Sequence, residues 1–157
     1  SAVTYQRGTP MCLFCKIVNR DIPSAIVYED ERVLAFEDIN PQAPIHILVV
    51  PKRHIATLND LGPEDDDIVG EVVRRAAAIA ASKGTAGDGF RTVFNTNRAA
   101  GQTVFHIHLH LLGGRDLGWP TGPATTMVAR AGSNKRPAAS CTSARVTRRR
   151  SSGNRRS

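Results

Sequence analysis

The sequence predicts an α+β domain with a mainly antiparallel sheet, one long helix and a short N-terminal helix. Three observations carry that reading. Strand-like and helix-like stretches follow one another in the order β-β-β-α-β-β. One stretch, residues 63–82, has the apolar spacing of a long amphipathic helix. Within residues 104–112, residues 105–111 alternate strictly between apolar side chains and histidines, the period of a half-buried strand.

Taken in order, residues 12–19 (CLFCKIVN) form a short helix or turn that Ile22-Pro23 ends. Residues 25–29 and 33–37 read as two strands joined by the acidic turn Asp30-Glu31-Arg32. A loop, Asn40-Pro41-Gln42-Ala43-Pro44, leads into an apolar strand over 45–50 that carries His46 and stops at Pro51. Gly62-Pro63 followed by Glu64 to Asp67 is a helix start, with Pro in the first turn and acids at the positive helix end. Ile68, Val72, Ala76, Ile79 and Ala80 fall near one face of that helix, and Gly84 follows its end. Residues 90–94 are a further strand, 95–101 a loop, and 104–112 the histidine strand, closed by Gly113-Gly114-Arg115.

The chain has 157 residues, enough for one domain with a proper core. Its net charge of +7 is unevenly placed. Residues 1–120 hold 12 Lys+Arg and 14 Asp+Glu, whereas residues 121–157 hold 9 Lys+Arg and no acid. Residues 1–10 read as an extension, 11–120 as the domain, and 121–157 as a basic low-complexity tail too poor in apolar side chains to order itself. Met11 offers an alternative start. No apolar run approaches 18 residues and the first ten lack a signal-peptide core, so no membrane span and a cytoplasmic location are expected. Three cysteines, Cys12, Cys15 and Cys141, argue against a disulfide framework.

In a strand, His106, His108 and His110 share one face, while Phe105, Ile107, Leu109 and Leu111 face the core. Three readings compete: a solvated strand face, a metal site with His-x-His spacing, and covalent catalysis by an imidazole attacking phosphorus. Three histidines at period 2 weigh against the first. Spacing alone does not separate the other two.

The wider sequence does. Residues 101–115 (GQTVFHIHLHLLGGR) closely resemble the histidine-triad (HIT) family, whose signature is His-φ-His-φ-His-φ-φ. Residues 36–46 (FEDINPQAPIH), Pro51-Lys52-Arg53-His54, residues 14–18 (FCKIV) and Ile22-Pro23 resemble it too. Gly-Gly-Arg and Trp119-Pro120 favour the Hint branch, and the resemblance covers roughly residues 11–120.

The resemblance implies chemistry at the α-phosphorus of a nucleotide through a nucleotidyl-histidine intermediate. His108 is then the nucleophile. His110 helps protonate the leaving group, His106 fixes the tautomer of His108 through its carbonyl, and His46 supports the site. Asp38 matches the acid that binds the ribose hydroxyls, and Asn95 and Thr103 match polar residues beside the phosphate. Gln102 lies in the same loop. Phe14, Ile17, Ile39 and Leu48 are candidates for the base pocket and equally for plain core. The implied substrate is a purine nucleoside 5′-phosphoramidate, and the implied assembly a homodimer with a continuous sheet. Trp119 either closes the site of the neighbouring subunit or is a surface anchor.

Cys12 and Cys15 form a CxxC pair, and a structural zinc needs two further ligands, for which His54 and His106 are the candidates. The resemblance implies the same set, with no catalytic cofactor. Two free cysteines are the alternative. Arg148-Arg149-Arg150 and Arg155-Arg156 would bind a polyanion nonspecifically, but without aromatic residues for base stacking, and a tail without function is the favoured reading. A frame-shifted or read-through extension also fits its composition. Two other functions stay open: hydrolysis of dinucleoside polyphosphates or adenylyl conjugates, and a nucleotide-binding regulatory role. A metal-dependent hydrolase is a weaker option.

Overall fold

The computed structural model describes residues 12–121. The expected extension 1–10, Met11, Cys141 and residues 122–157 of the basic tail lie outside the described residues.

A short helix α1 (Leu13–Val18) precedes three strands, β1 (Ile26–Glu29), β2 (Val33–Glu37) and β3 (Ile45–Pro51). The long helix α2 (Asp66–Ser82) follows, then β4 (Phe90–Phe94) and β5 (Leu109–Gly113). All neighbouring pairs are antiparallel, in the order β1-β2-β3-β5-β4. The expected α+β class therefore holds. Among the described residues no helix is long and apolar enough to cross a membrane.

Side-chain alternation gives the sheet two different faces. Val33, Ala35, Ile47, Val49, Leu109 and Leu111 pack on Ile68, Val72, Ala76, Ile79 and Ala80 of α2, the face read from the sequence. Burying each large aliphatic there contributes roughly 1.5–3 kcal/mol. That packing, rather than the modest helix propensity of Val and Ile, holds α2 in place. Its start is fixed by Asp65, which accepts the Gly62 N–H at 2.9 Å and pairs with Arg53. On the opposite sheet face, Leu34, Phe36, Leu48 and Val50 pack against Phe14 and Ile17 of α1. The site histidines lie on this second face.

Two expectations fail at the histidine segment. Regular pairing begins only at Leu109, so residues 104–108 are not strand. Pro51 is the cause. Continuing the β3–β5 register would set Ile107 opposite Pro51, which has no N–H to donate. The Ile107 N–H goes instead to the Ile55 carbonyl at 2.7 Å. Phe105, expected in the core, is 49% exposed. The alternation otherwise survives, with Ile107, Leu109 and Leu111 in the α2-facing core.

Candidate active site

Because residues 104–108 leave the ladder, their carbonyls and rings are free to bond one another. The carbonyl of His106 accepts from Nδ1 of His108 at 2.7 Å. A carbonyl only accepts, so the proton of a neutral His108 sits on Nδ1 and Nε2 keeps a lone pair. Burial lowers the His108 pKa, partly opposed by that hydrogen bond and by Asp38, so the neutral ring is favoured. The Phe14 ring stands edge-on to His108, centroids 5.0 Å apart, and fixes its plane. The ring that the sequence singled out as nucleophile is thus oriented, neutral and unprotonated at Nε2.

His110 lies beside it, ring centroids 4.9 Å apart. Burial pulls its pKa down to about 4, helped by the charges of His108 and His46 and opposed by Asp38. At neutral pH the ring is therefore neutral in the free protein. Its Nδ1 is 2.8 Å from Nε2 of His46, which is in turn 3.4 Å from Oδ2 of Asp38. Burial lowers the His46 pKa as well, against the raising effect of Asp38. Asp38 also accepts the Asn40 N–H at 2.8 Å.

A buried histidine whose folded pKa lies below its unfolded value near 6.5 binds a proton more readily unfolded. The stability it contributes is complete above about pH 6.5 and is lost as pH falls towards about 4 for His110. Denaturation midpoints are expected to drop across that window, and His110→Gln should show a shallower drop than wild type. Parallel curves for the two proteins would contradict the assignment.

A second cluster sits behind the first. His106 is fully buried, and its Nε2 donates to the Pro51 carbonyl at 2.7 Å. Its Nδ1 lone pair faces Cys12 Sγ at 3.6 Å, Cys15 Sγ at 3.5 Å and His54 Nδ1 at 3.3 Å. Cys15 Sγ and His54 Nδ1 are 3.3 Å apart. Tetrahedral bonds of roughly 2.0–2.3 Å put ligand atoms about 3.3–3.8 Å from one another, which these separations match. Burial, with Cys12 beside it, pushes the Cys15 thiol up to about 12, so without a cation it stays protonated. Cys12, Cys15, His54 and His106 thus lie close enough to hold a metal.

Asp38, His46 and His110 are also mutually close, but they do not fit a metal. The Gln42 N–H donates to Nδ1 of His46 at 3.0 Å, which forces the His46 proton onto Nε2, inside the cluster. A cation there would have to leave His46 with no proton at all.

The remaining predicted residues divide. Phe14, Ile17 and Leu48 are buried in the second core, whereas Ile39 is fully exposed. Asn95 is half-buried and Thr103 exposed. Gln102 is 3% exposed, and its amide is spent on backbone: Oε1 accepts from Asn97 N at 2.8 Å, and Nε2 donates to Ala56 O at 2.8 Å and Val104 O at 3.1 Å. It braces the loop rather than facing solvent. Asn97, at φ 65° and ψ 172°, is held at a positive φ by this brace. Gln102→Ala leaves three backbone groups unpaired and is expected to cost about 2–3 kcal/mol by denaturant unfolding. A loss within the error of wild type would contradict the bracing role. Nothing in the sequence signals the Gln42 N–H, the Pro51 carbonyl or the Arg115 contact to Gln42, because backbone partners carry no residue-type signal.

The chain is similar to known proteins. A family model described as the HIT domain matches residues 19–117. The purine nucleoside phosphoramidase of Escherichia coli K12 is 54% identical over 106 residues, 68% of this chain and 89% of that protein. The HIT-like protein slr1234 of Synechocystis is 51% identical over 110 residues, 70% of this chain and 96% of that protein. A crystal structure of a HIT family hydrolase from Legionella pneumophila superposes with a TM-score of 0.70 at 51% identity, covering 71% of this chain and 99% of that one.

Proposed function

The chain belongs to the HIT family and is an enzyme of the HIT type, and from that premise we propose that it hydrolyses purine nucleoside 5′-phosphoramidates through a nucleotidyl-histidine intermediate. The observation that carries this is the His108 ring, with Nδ1 tied to the His106 carbonyl and Nε2 left unprotonated. Nε2 attacks the α-phosphorus, and the phosphorus–nitrogen bond to the leaving amine breaks. His110, made an imidazolium as the anionic substrate binds beside it, gives its Nε2 proton to the amine and is left neutral. Water then attacks phosphorus, returns a proton to His110 and releases the nucleoside monophosphate from His108. Asp38 accepts the ribose hydroxyls. Asn95 and Thr103 sit beside the phosphate, on a loop that Gln102 braces. Ile39 covers the base, over a floor that includes Phe14 and Ile17. The identity of the E. coli relative supports this substrate over dinucleoside polyphosphates.

Zinc is the metal proposed for Cys12, Cys15, His54 and His106, because two thiolates and two imidazoles suit it. When bound it ties α1 to the catalytic segment, and it takes no part in the reaction. The same reading makes the catalytic unit residues 11–120 of a cytoplasmic homodimer. Strand β4 is a sheet edge, open to pairing with a second copy. Trp119 is 84% exposed near the Arg91 guanidinium, free to reach a partner's site.

The test is intact-protein mass spectrometry after brief incubation with adenosine 5′-phosphoramidate and an acid quench. Wild type is expected to gain one AMP, and His108→Ala none. Undiminished turnover in His108→Ala would place the nucleophile elsewhere. Nucleotide binding without adduct or turnover in either protein would favour the regulatory reading.

A further inference from the structure

The loop that leads into β3 makes no contact with the reacting atoms, yet its hydrogen bonds run into His110. We propose that the backbone of Gln42, anchored by Arg115, fixes through His46 which nitrogen of His110 carries the proton. A neutral imidazole has one N–H, and its partners decide which nitrogen holds it. A peptide N–H only donates, so the Gln42 N–H, 3.0 Å from Nδ1 of His46, makes that nitrogen an acceptor. The His46 proton is then on Nε2. Nδ1 of His110 is the nearer acceptor at 2.8 Å, against 3.4 Å for Oδ2 of Asp38. His110 Nδ1 accepts, and its own proton is left on Nε2.

The anchor comes from the far end of β5. Arg115 Nη2 donates to the Gln42 carbonyl at 2.9 Å, and its Nη1 to the Asp116 carbonyl at 2.9 Å. Gly114 beside it has φ +85°, and a Cβ there would lie 3.0 Å from Cβ of Pro44. Only glycine lets this corner come so close to the 40–44 loop. On the other side, the Asp38 N–H donates to the His46 carbonyl at 3.0 Å. Both ends of the loop are thus pinned, and the Gln42 N–H has one direction in which to point.

The consequence is that the resting His110 ring keeps its proton on Nε2; the proton passed to a leaving group is the one gained when the ring becomes an imidazolium beside the anionic substrate. Gln42, Arg115 and His46 are positioning residues, acting on the reaction only through His110. The effect on rate rests on reading His110 as proton donor; the placement of the proton does not.

The experiment uses the full chain with its metal, labelled with ¹⁵N-histidine, and two-bond ¹H–¹⁵N correlation at neutral pH. Wild type is compared with His46→Ala, His46→Gln and Arg115→Ala, and kcat and KM are measured on adenosine 5′-phosphoramidate. Wild-type His110 is expected as the Nε2–H tautomer. His46→Ala should give averaged tautomer shifts and lower kcat by about 100-fold, with KM changed by less than about threefold. His46→Gln, whose amide keeps one acceptor and one donor, should restore most of both. Arg115→Ala should move the shifts part of the way and lower kcat by about fivefold. An Nδ1–H tautomer in wild type overturns the inference. So does a tautomer unmoved in both His46→Ala and Arg115→Ala. If His46→Ala does not fold, Arg115→Ala and His46→Gln decide alone. A tautomer that moves while kcat does not would uphold the inference and remove the donor role from His110.

Discussion

Glycine in place of His108 is expected to lower kcat on a purine nucleoside 5′-phosphoramidate by on the order of 10⁴-fold or more, and added imidazole to restore part of it. The ring is 6% exposed and walled by Phe14, so its removal leaves a slot of imidazole shape. The His106 carbonyl remains at one end of that slot to hold an N–H. An imidazole seated there presents its other nitrogen to phosphorus as His108 does. The adenylyl group would then depart on the free imidazole, and the protein would carry no adduct. Rescue of His108→Gly should saturate with imidazole concentration and proceed without an AMP adduct on the protein. A variant only tenfold slower than wild type, or one indifferent to imidazole, would sink the assignment of His108 as nucleophile. His110→Gly serves as the contrast: it keeps His108, so on the proposed reading any turnover it shows, with or without imidazole, still passes through an AMP adduct on the protein.

The second large effect concerns the metal. Stripping it by chelation is expected to lower Tm by roughly 15 °C or more, given the several kcal/mol that such sites contribute. Cys15→Ala should do the same, since it removes one ligand of four and opens a cavity in a core where Cys15 is 3% exposed. The loss should reach the chemistry too, since His106 faces the metal cluster with Nδ1 and holds His108 with its carbonyl. At temperatures where the stripped chain is still folded, kcat should fall about tenfold. Zinc content near one per chain before chelation, and recovery of Tm on adding zinc back, complete the expectation. A chain isolated without metal, whose Tm does not respond to zinc, would show the cluster to be four ordinary buried side chains.

How much of this was legible in the sequence depends on what kind of interaction built it. The α2 face was fully legible, because Ile68, Val72, Ala76, Ile79 and Ala80 repeat at helical spacing and all five are buried. Strands β2 and β4 have the bounds expected for them, since turn residues or loops delimit each. The start of β5 was misread because residues 105–108 continue the strand-like alternation of the residues after them. What ends the ladder is a proline on the neighbouring strand, far off in the sequence. Phe105 was misread for the same reason: once the backbone leaves the sheet, alternation no longer decides which side is covered. The four metal-cluster side chains and the four site histidines were visible as residue types. Their proton positions were not, because the carbonyls of Pro51 and His106 and the amide of Gln42 set them. Gln102 was seen as a site-loop residue, but its work is done wholly on backbone groups.

The Cys12, Cys15, His54 and His106 cluster also has a temporal meaning. Its members come from the beginning, middle and late part of the described chain, with Cys12 and His106 94 positions apart. During synthesis the chain emerges from its N-terminus. The two thiols are exposed to the cell first, His54 follows, and His106 arrives only with the segment that carries the nucleophile. Until then at most three of the four side chains are present. His106, the last of the four, and His108, the proposed nucleophile, are two residues apart. On the zinc reading, full capture of an ion and assembly of the histidine segment are therefore the same late event, and a nascent chain holding metal on all four side chains is one whose histidine segment has already been translated.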